Sequence, residues 1–140
     1  MSAPLKVHVA LNTSRLEDSV AFYRAFFGVE PVKRRPGYAK FDVAEPALNF
    51  TLNEAPAPPA GALNHLGIQV GSTAAVQAAA RRLEAAGLAT LTEENTDCCY
   101  ALQDKVWVTD PNGYRWEVFV VKVGDTGAER PVEPCCPSCA

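Results

Sequence analysis

The sequence predicts an α+β fold made of two tandem βαβββ units. Three observations predict it. An alternating apolar stretch followed by a helix-spaced stretch and three strand-like runs occurs twice, a proline-rich segment separates the copies, and each helix ends at a glycine suited to a left-handed cap.

In the first copy Val7, Val9 and Leu11 alternate with Lys6, His8 and Ala10, which reads as a half-buried strand over Leu5 to Leu11. Ser14 and Glu17 have the spacing of a capping box for a helix carrying Leu16, Val20, Tyr23, Phe26 and Phe27 on one face, ended by Gly28. Strands are expected near Glu30 to Arg34, Tyr38 to Val43 and Ala47 to Asn53. Pro56, Pro58 and Pro59 make Ala55 to Gly61 a stiff connection that cannot continue a sheet. The pattern then restarts. Leu66, Ile68 and Val70 alternate with His65, Gly67 and Gln69; Ser72 or Thr73 caps a helix through Val76, Ala79, Ala80 and Leu83; and Gly87 ends it. Strands near Leu88 to Thr92, Leu102 to Val108 and Arg115 to Val121 complete the copy. A ferredoxin-like split unit is the competing reading of this order.

With 140 residues, 48% of them hydrophobic and 21% charged, the chain has the composition of one folded domain rather than of a disordered polypeptide. The expected domain is 1–123, with units at about 5–54 and 63–122, followed by a flexible cysteine-containing tail at 124–140. A formal charge of −3 offers no basic surplus for nucleic acid or an anionic membrane. No apolar run approaches membrane-spanning length, and the first residues lack a secretory pattern. Five cysteines, in an odd and clustered arrangement, suit a reducing compartment, so a cytoplasmic location is expected.

Superimposing the copies places His8 and His65, the two histidines of the chain, at matching positions in the first strands, both facing away from the apolar stripe. In the last strands Glu117 and Asn49 are expected to correspond. Glu117 stands between Trp116 and Val118, where an unpaired carboxylate is expensive and a metal would compensate it. If the sheets curl around one cavity, His8, His65 and Glu117 converge there. Two imidazoles and one carboxylate on one face of a metal leave neighbouring positions open, the arrangement of non-haem Fe(II) oxygen chemistry, although Zn(II) or Mn(II) accepts the same donors. The plain alternative for each residue is a half-exposed polar side chain on a strand.

The tandem units, the two histidines, and Asp110-Pro111-Asn112-Gly113 turning into Tyr114-Arg115-Trp116-Glu117 resemble the vicinal oxygen chelate superfamily over about residues 5 to 122. Physically the turn is apt, since proline sets its own φ and glycine accepts positive φ. In the superfamily's glyoxalases the resemblance implies a second carboxylate where Asn49 stands, and this chain departs from that pattern.

The second copy is also longer. His65 to Glu117 spans 52 positions against 41 from His8 to Asn49, and the excess, around Thr92 to Gln103, is expected to form a loop carrying Cys98 and Cys99. Adjacent thiolates can chelate one thiophilic centre; two incidental cysteines are the plain alternative. Together with Cys135, Cys136 and Cys139, the pair and the triad resemble the organoarsenical carbon–arsenic lyases of this superfamily, which are themselves similar to cadmium-induced proteins. The resemblance implies that Cys98 and Cys99 hold a trivalent organoarsenical, such as methylarsenite or an aromatic arsenical. It implies Fe(II) at His8, His65 and Glu117, with O2 as co-substrate and arsenite as product. Tyr100 and Lys105 are candidates to orient an oxygen intermediate or balance its charge, solvent exposure being the ordinary place for both. An extradiol-type dioxygenase and a non-enzymatic cadmium- or arsenite-binding protein are the alternatives. Whether the two units close within one chain or across a homodimer stays open.

Overall fold

The computed structural model describes residues 5–56, 61–98 and 101–123. The elements run β1 (Val7–Thr13), α1 (Leu16–Phe27), β2 (Lys33–Arg35), β3 (Tyr38–Val43), β4 (Leu48–Glu54), β5 (Leu66–Gln69), α2 (Thr73–Ala85), β6 (Leu91–Cys98), β7 (Ala101–Thr109) and β8 (Arg115–Val123). Two compact units result, Met1–Gly61 with Asp110–Tyr114 and Ala62–Thr109 with Arg115–Ala140.

The sheet of the first unit has the order β1-β4-β3-β2, with β1 parallel to β4 and the remaining pairs antiparallel. A parallel pair needs a crossover, and α1 is part of it. The helix packs on β3 and β4 because its aromatic residues recur at helical spacing: Tyr23 and Phe26 are buried with Phe41 and Phe50, and the Tyr23 and Phe50 ring centroids are 4.4 Å apart. Gly28 ends α1 at φ 70°, its N–H donating to the Arg24 carbonyl.

The start of α1 departs from expectation. Arg15 is the N-cap and offers no side-chain cap. The Ser14 hydroxyl instead donates to Asn112 Oδ1 at 3.2 Å, so a tertiary partner takes the group that a capping box would use.

That partner belongs to the turn after β7, and the turn is part of the first unit. Asp110 Oδ1 accepts the N–H groups of Asn112 and Tyr114, and Oδ2 accepts the Tyr23 hydroxyl at 2.6 Å. Asn112 Nδ2 donates to Thr13 Oγ1 at 2.5 Å and Ser19 Oγ at 3.2 Å, and both hydroxyl residues are fully buried. Burial pushes the Asp110 carboxyl above the usual carboxylate range, against the pull of the Tyr23 hydroxyl and the turn's N–H groups. Its contribution to stability is therefore greatest at acid pH and is lost as pH rises from the ordinary carboxylate value through the raised one. Tyr23→Phe removes the donor that favours the ionised form. Thermal melts are expected to show a loss of about 1–3 kcal/mol at neutral pH that shrinks as the solution is acidified through the carboxylate range.

In the second unit the order is β5-β8-β7-β6, with β5 parallel to β8. Helix α2 packs on β7 and β8 through Val76 and Leu83, and Ser72 caps it by accepting the Ala75 N–H at 3.1 Å. The expected loop at Thr92 to Gln103 is instead mostly strand: β6 has 8 residues and β7 has 9, against 3 and 6 for β2 and β3. The extra chain lengthens a hairpin. Its polar run misleads because the irregularity between Glu93 and Thr96 is satisfied from the neighbouring strand: the Asn95 N–H donates to buried Asp104 Oδ1 at 2.8 Å. Burial raises the Asp104 carboxyl, but Thr73, the Asn95 N–H and Lys122 outweigh it and hold the group below its ordinary value. Among the described residues no helix is long and apolar enough to cross a membrane.

Candidate metal centre

Alternation along β7 and β8 sorts the second sheet into two faces. Val106, Val108, Trp116 and Val118 share one face, while Lys105, Trp107, Glu117 and Phe119 share the other, with Lys105 opposite Phe119 and Trp107 opposite Glu117. Glu117 is 6% exposed and Lys105 is fully buried. The solvent-exposed placement open to Lys105 in the sequence is thereby overturned: its ammonium donates to Glu117 Oε2 at 2.8 Å and lies 5.3 Å from the Trp107 ring centroid and 5.9 Å from that of Phe119. A buried ammonium requires such partners.

The other carboxylate oxygen of Glu117 faces His65, with Oε1 3.5 Å from Nε2. His65 immediately precedes β5. Its Nδ1 is 2.5 Å from Asn64 Oδ1, a contact that, with the proton on Nδ1, turns the Nε2 lone pair toward Glu117. The imidazole meets the Trp107 ring edge-on at 5.2 Å, and Trp107 Nε1 is fixed by Glu93 Oε1 at 2.8 Å. Imidazole nitrogen and carboxylate oxygen bound side by side to one metal, each at about 2.0–2.2 Å, lie roughly 3 Å apart. The His65–Glu117 pair is thus an imidazole nitrogen and a carboxylate oxygen at near-ligating separation, and the donor chemistry fits a divalent metal.

His8 lies in the first unit on β1, exposed, with Nε2 3.4 Å from Thr51 Oγ1. The register corrects the expected match between the copies. His8 pairs with Asn49 and Ala10 with Thr51, whereas Gly67 pairs with Glu117. Aligning His8 with His65 therefore aligns Ala10 with Gly67 and Thr51, not Asn49, with Glu117. The two contacts agree, His8 to Thr51 in one unit and His65 to Glu117 in the other. Alternation defined the face, but a two-residue slip keeps the same face, so spacing could not fix the register.

Of the sequence candidates, the structure brings His65, Glu117 and Lys105 together. Among the described residues no group of three or more His, Cys, Asp or Glu side chains gathers to hold a metal. Cys98 is the last residue of β6, opposite Ala101, while Cys99, Tyr100 and the tail at 124–140 lie outside the described residues. Sequence reasoning passed over Asn64, Trp107 and Gly67. Only Gly67 carried a signal, as a glycine inside a strand pattern.

A βαβββ pair with histidine leading the second unit and glutamate in its last strand defines a class. Residues 7–118 match the sequence pattern of the Glyoxalase/Bleomycin resistance protein/Dioxygenase superfamily, and the chain belongs to that superfamily. It is 51% identical over 132 residues to the trivalent organoarsenical cleaving enzyme of Thermomonospora curvata, covering 94% of this chain and 87% of that protein. It is 52% identical over 116 residues to the cadmium-induced protein CadI of Mycobacterium tuberculosis, covering 83% and 76%. A glyoxalase/bleomycin resistance protein/dioxygenase crystal structure from Nocardioides superposes with a TM-score of 0.69 at 25% identity, over 91% of this chain and 90% of that one. The α+β tandem fold expected from the sequence is the one found.

Proposed function

We propose that this chain is an enzyme that cleaves the carbon–arsenic bond of trivalent organoarsenicals, with Fe(II) held by His8, His65 and Glu117 and O2 as co-substrate, so that arsenite is released and the organic fragment leaves oxidised by O2. The observation that carries the activity is the 51% identity, along 94% of the chain, with a trivalent organoarsenical cleaving enzyme. The His65–Glu117 pair supports the metal.

Fe(II) held by these residues would supply oxygen activation beside the substrate. The chain's own residues set the conditions for it. Lys105 engages Glu117 Oε2, so Oε1, the oxygen facing His65, is the one that would be offered to a metal. Asn64, by accepting a proton held on Nδ1, would keep the Nε2 lone pair of His65 available. Trp107 and Phe119 set their rings against the Lys105 ammonium, which strengthens its ion pair with Glu117. Cys98 and Cys99 hold the arsenic as a dithiolate, leaving the organic group as its third substituent. Lys105 balances charge through Glu117, and Tyr100 orients the reacting group. The odd number and clustering of the five cysteines support a reducing, cytoplasmic setting for this work.

The name of the cadmium-induced relative favours one second reading, sequestration of cadmium or arsenite without turnover. Anaerobic loading with Fe(II), then O2 with methylarsenite or, in a parallel assay, with a catechol, separates the readings. Arsenite formed with turnover is the expected result; cleavage of a catechol alone would make the chain an extradiol-type dioxygenase, and binding without turnover a sequestering protein.

A further inference from the structure

We propose that Gly67 is a positioning residue for Glu117, because its missing Cβ is the space that lets the carboxylate lie between Lys105 and His65. The inference rests on the metal reading of the His65–Glu117 pair. Gly67 sits on β5, directly opposite Glu117 on β8. A Cβ built there would stand 2.9 Å from Glu117 Cγ, 3.3 Å from the Glu117 carbonyl oxygen and 3.3 Å from Phe119 Cε1. The first separation is inside van der Waals contact, so something must move. The carbonyl is backbone of the central strand, and the Phe119 ring backs the buried Lys105 ammonium. The displacement therefore falls on the Glu117 side chain, whose oxygens are directed to Lys105 and toward His65.

The backbone does not explain this glycine. Gly28, Gly37, Gly61, Gly87 and Gly113 have positive φ, and Gly67 does not. Glycine within a strand ordinarily weakens it and marks a close approach. The first unit supplies the comparison: the matching pair is Ala10 opposite Thr51, where a methyl group faces a shorter side chain. Hydrogen faces glutamate and methyl faces threonine.

Gly67→Ala is compared in the full chain with wild type, His65→Ala, Glu117→Gln and Gly67→Ala/Glu117→Gln. Gly71→Ala is the control, since a Cβ at Gly71 meets nothing within 4 Å. Co(II), whose visible absorption reports its ligands, is titrated anaerobically into each, and the metal-free proteins are melted. Gly67→Ala is expected to fold, to bind Co(II) about 10–100-fold more weakly and to show an altered absorption band, while Gly71→Ala matches wild type. In the Glu117→Gln background Gly67→Ala is expected to change affinity no further, because the two act as one unit. Wild-type affinity and spectrum in Gly67→Ala overturn the proposal. So does its failure to fold, which would make the glycine a requirement of the strand rather than of the carboxylate. If His65→Ala also binds Co(II) like wild type, the metal reading itself fails; if His65→Ala loses Co(II) and Gly67→Ala keeps it, only the role of Gly67 fails.

Discussion

Alanine at His65 is expected to strip the protein of Fe(II) and stop arsenite release with little loss of stability. Alanine at Glu117 is expected to do both and to lower the melting temperature sharply as well. The difference comes from what each side chain leaves behind. His65 is partly exposed, and its interactions among the described residues are with the Asn64 oxygen, the Trp107 ring edge and Glu117, so its removal costs about 1 kcal/mol beyond the lost ligand. Glu117 is the carboxylate partner of the fully buried Lys105 ammonium, and removing one member of a buried pair costs about 3–5 kcal/mol because the other charge stays without compensation. Glu117→Gln keeps the shape and an acceptor for Lys105, so it is expected to lose the metal with a smaller loss of stability. Iron content, arsenite release and thermal melts on the three variants check this. Full activity in His65→Ala would remove the metal centre from the mechanism.

Replacing either Cys98 or Cys99 by serine is expected to remove nearly all activity at low methylarsenite while leaving Fe(II) bound. A trivalent arsenical with one carbon substituent has two exchangeable positions, which two adjacent thiolates fill together. One thiolate leaves a single bond without the chelate advantage. The double variant is expected to be little worse than either single, since residues acting as a unit are not additive. Arsenical binding, iron content and arsenite release on all three variants decide the matter. Normal cleavage by both single variants would make the pair incidental and leave the lyase reading without its substrate site.

The candidate site was legible to different depths at different residues. Alternation put His65 and Glu117 on one face of one sheet, and the structure sets them 3.5 Å apart. The same alternation assigned Asn49 as the counterpart of Glu117, and the strand register assigns Thr51. Lys105 stood in a strand pattern that allows either face to be wet, and nothing near it in the sequence reveals that Trp107, Phe119 and Glu117 enclose it.

By itself the sequence determined the order and kind of the elements. Period-two and helical spacing, the Ser72 cap and the left-handed Gly28 act between residues a few positions apart, so they are written where they operate. The tertiary structure alone decided which polar groups meet. Ser14 leaves its helix for Asn112, 98 positions along the chain, and Asp110 draws the Tyr23 hydroxyl across 87. The Asp110–Tyr114 turn thereby joins the first unit, although its sequence follows β7 of the second. The physical reason is that a buried carboxylate, amide or ammonium must find a partner wherever the packed chain supplies one, and pairing register and burial, unlike spacing, are properties of the folded whole.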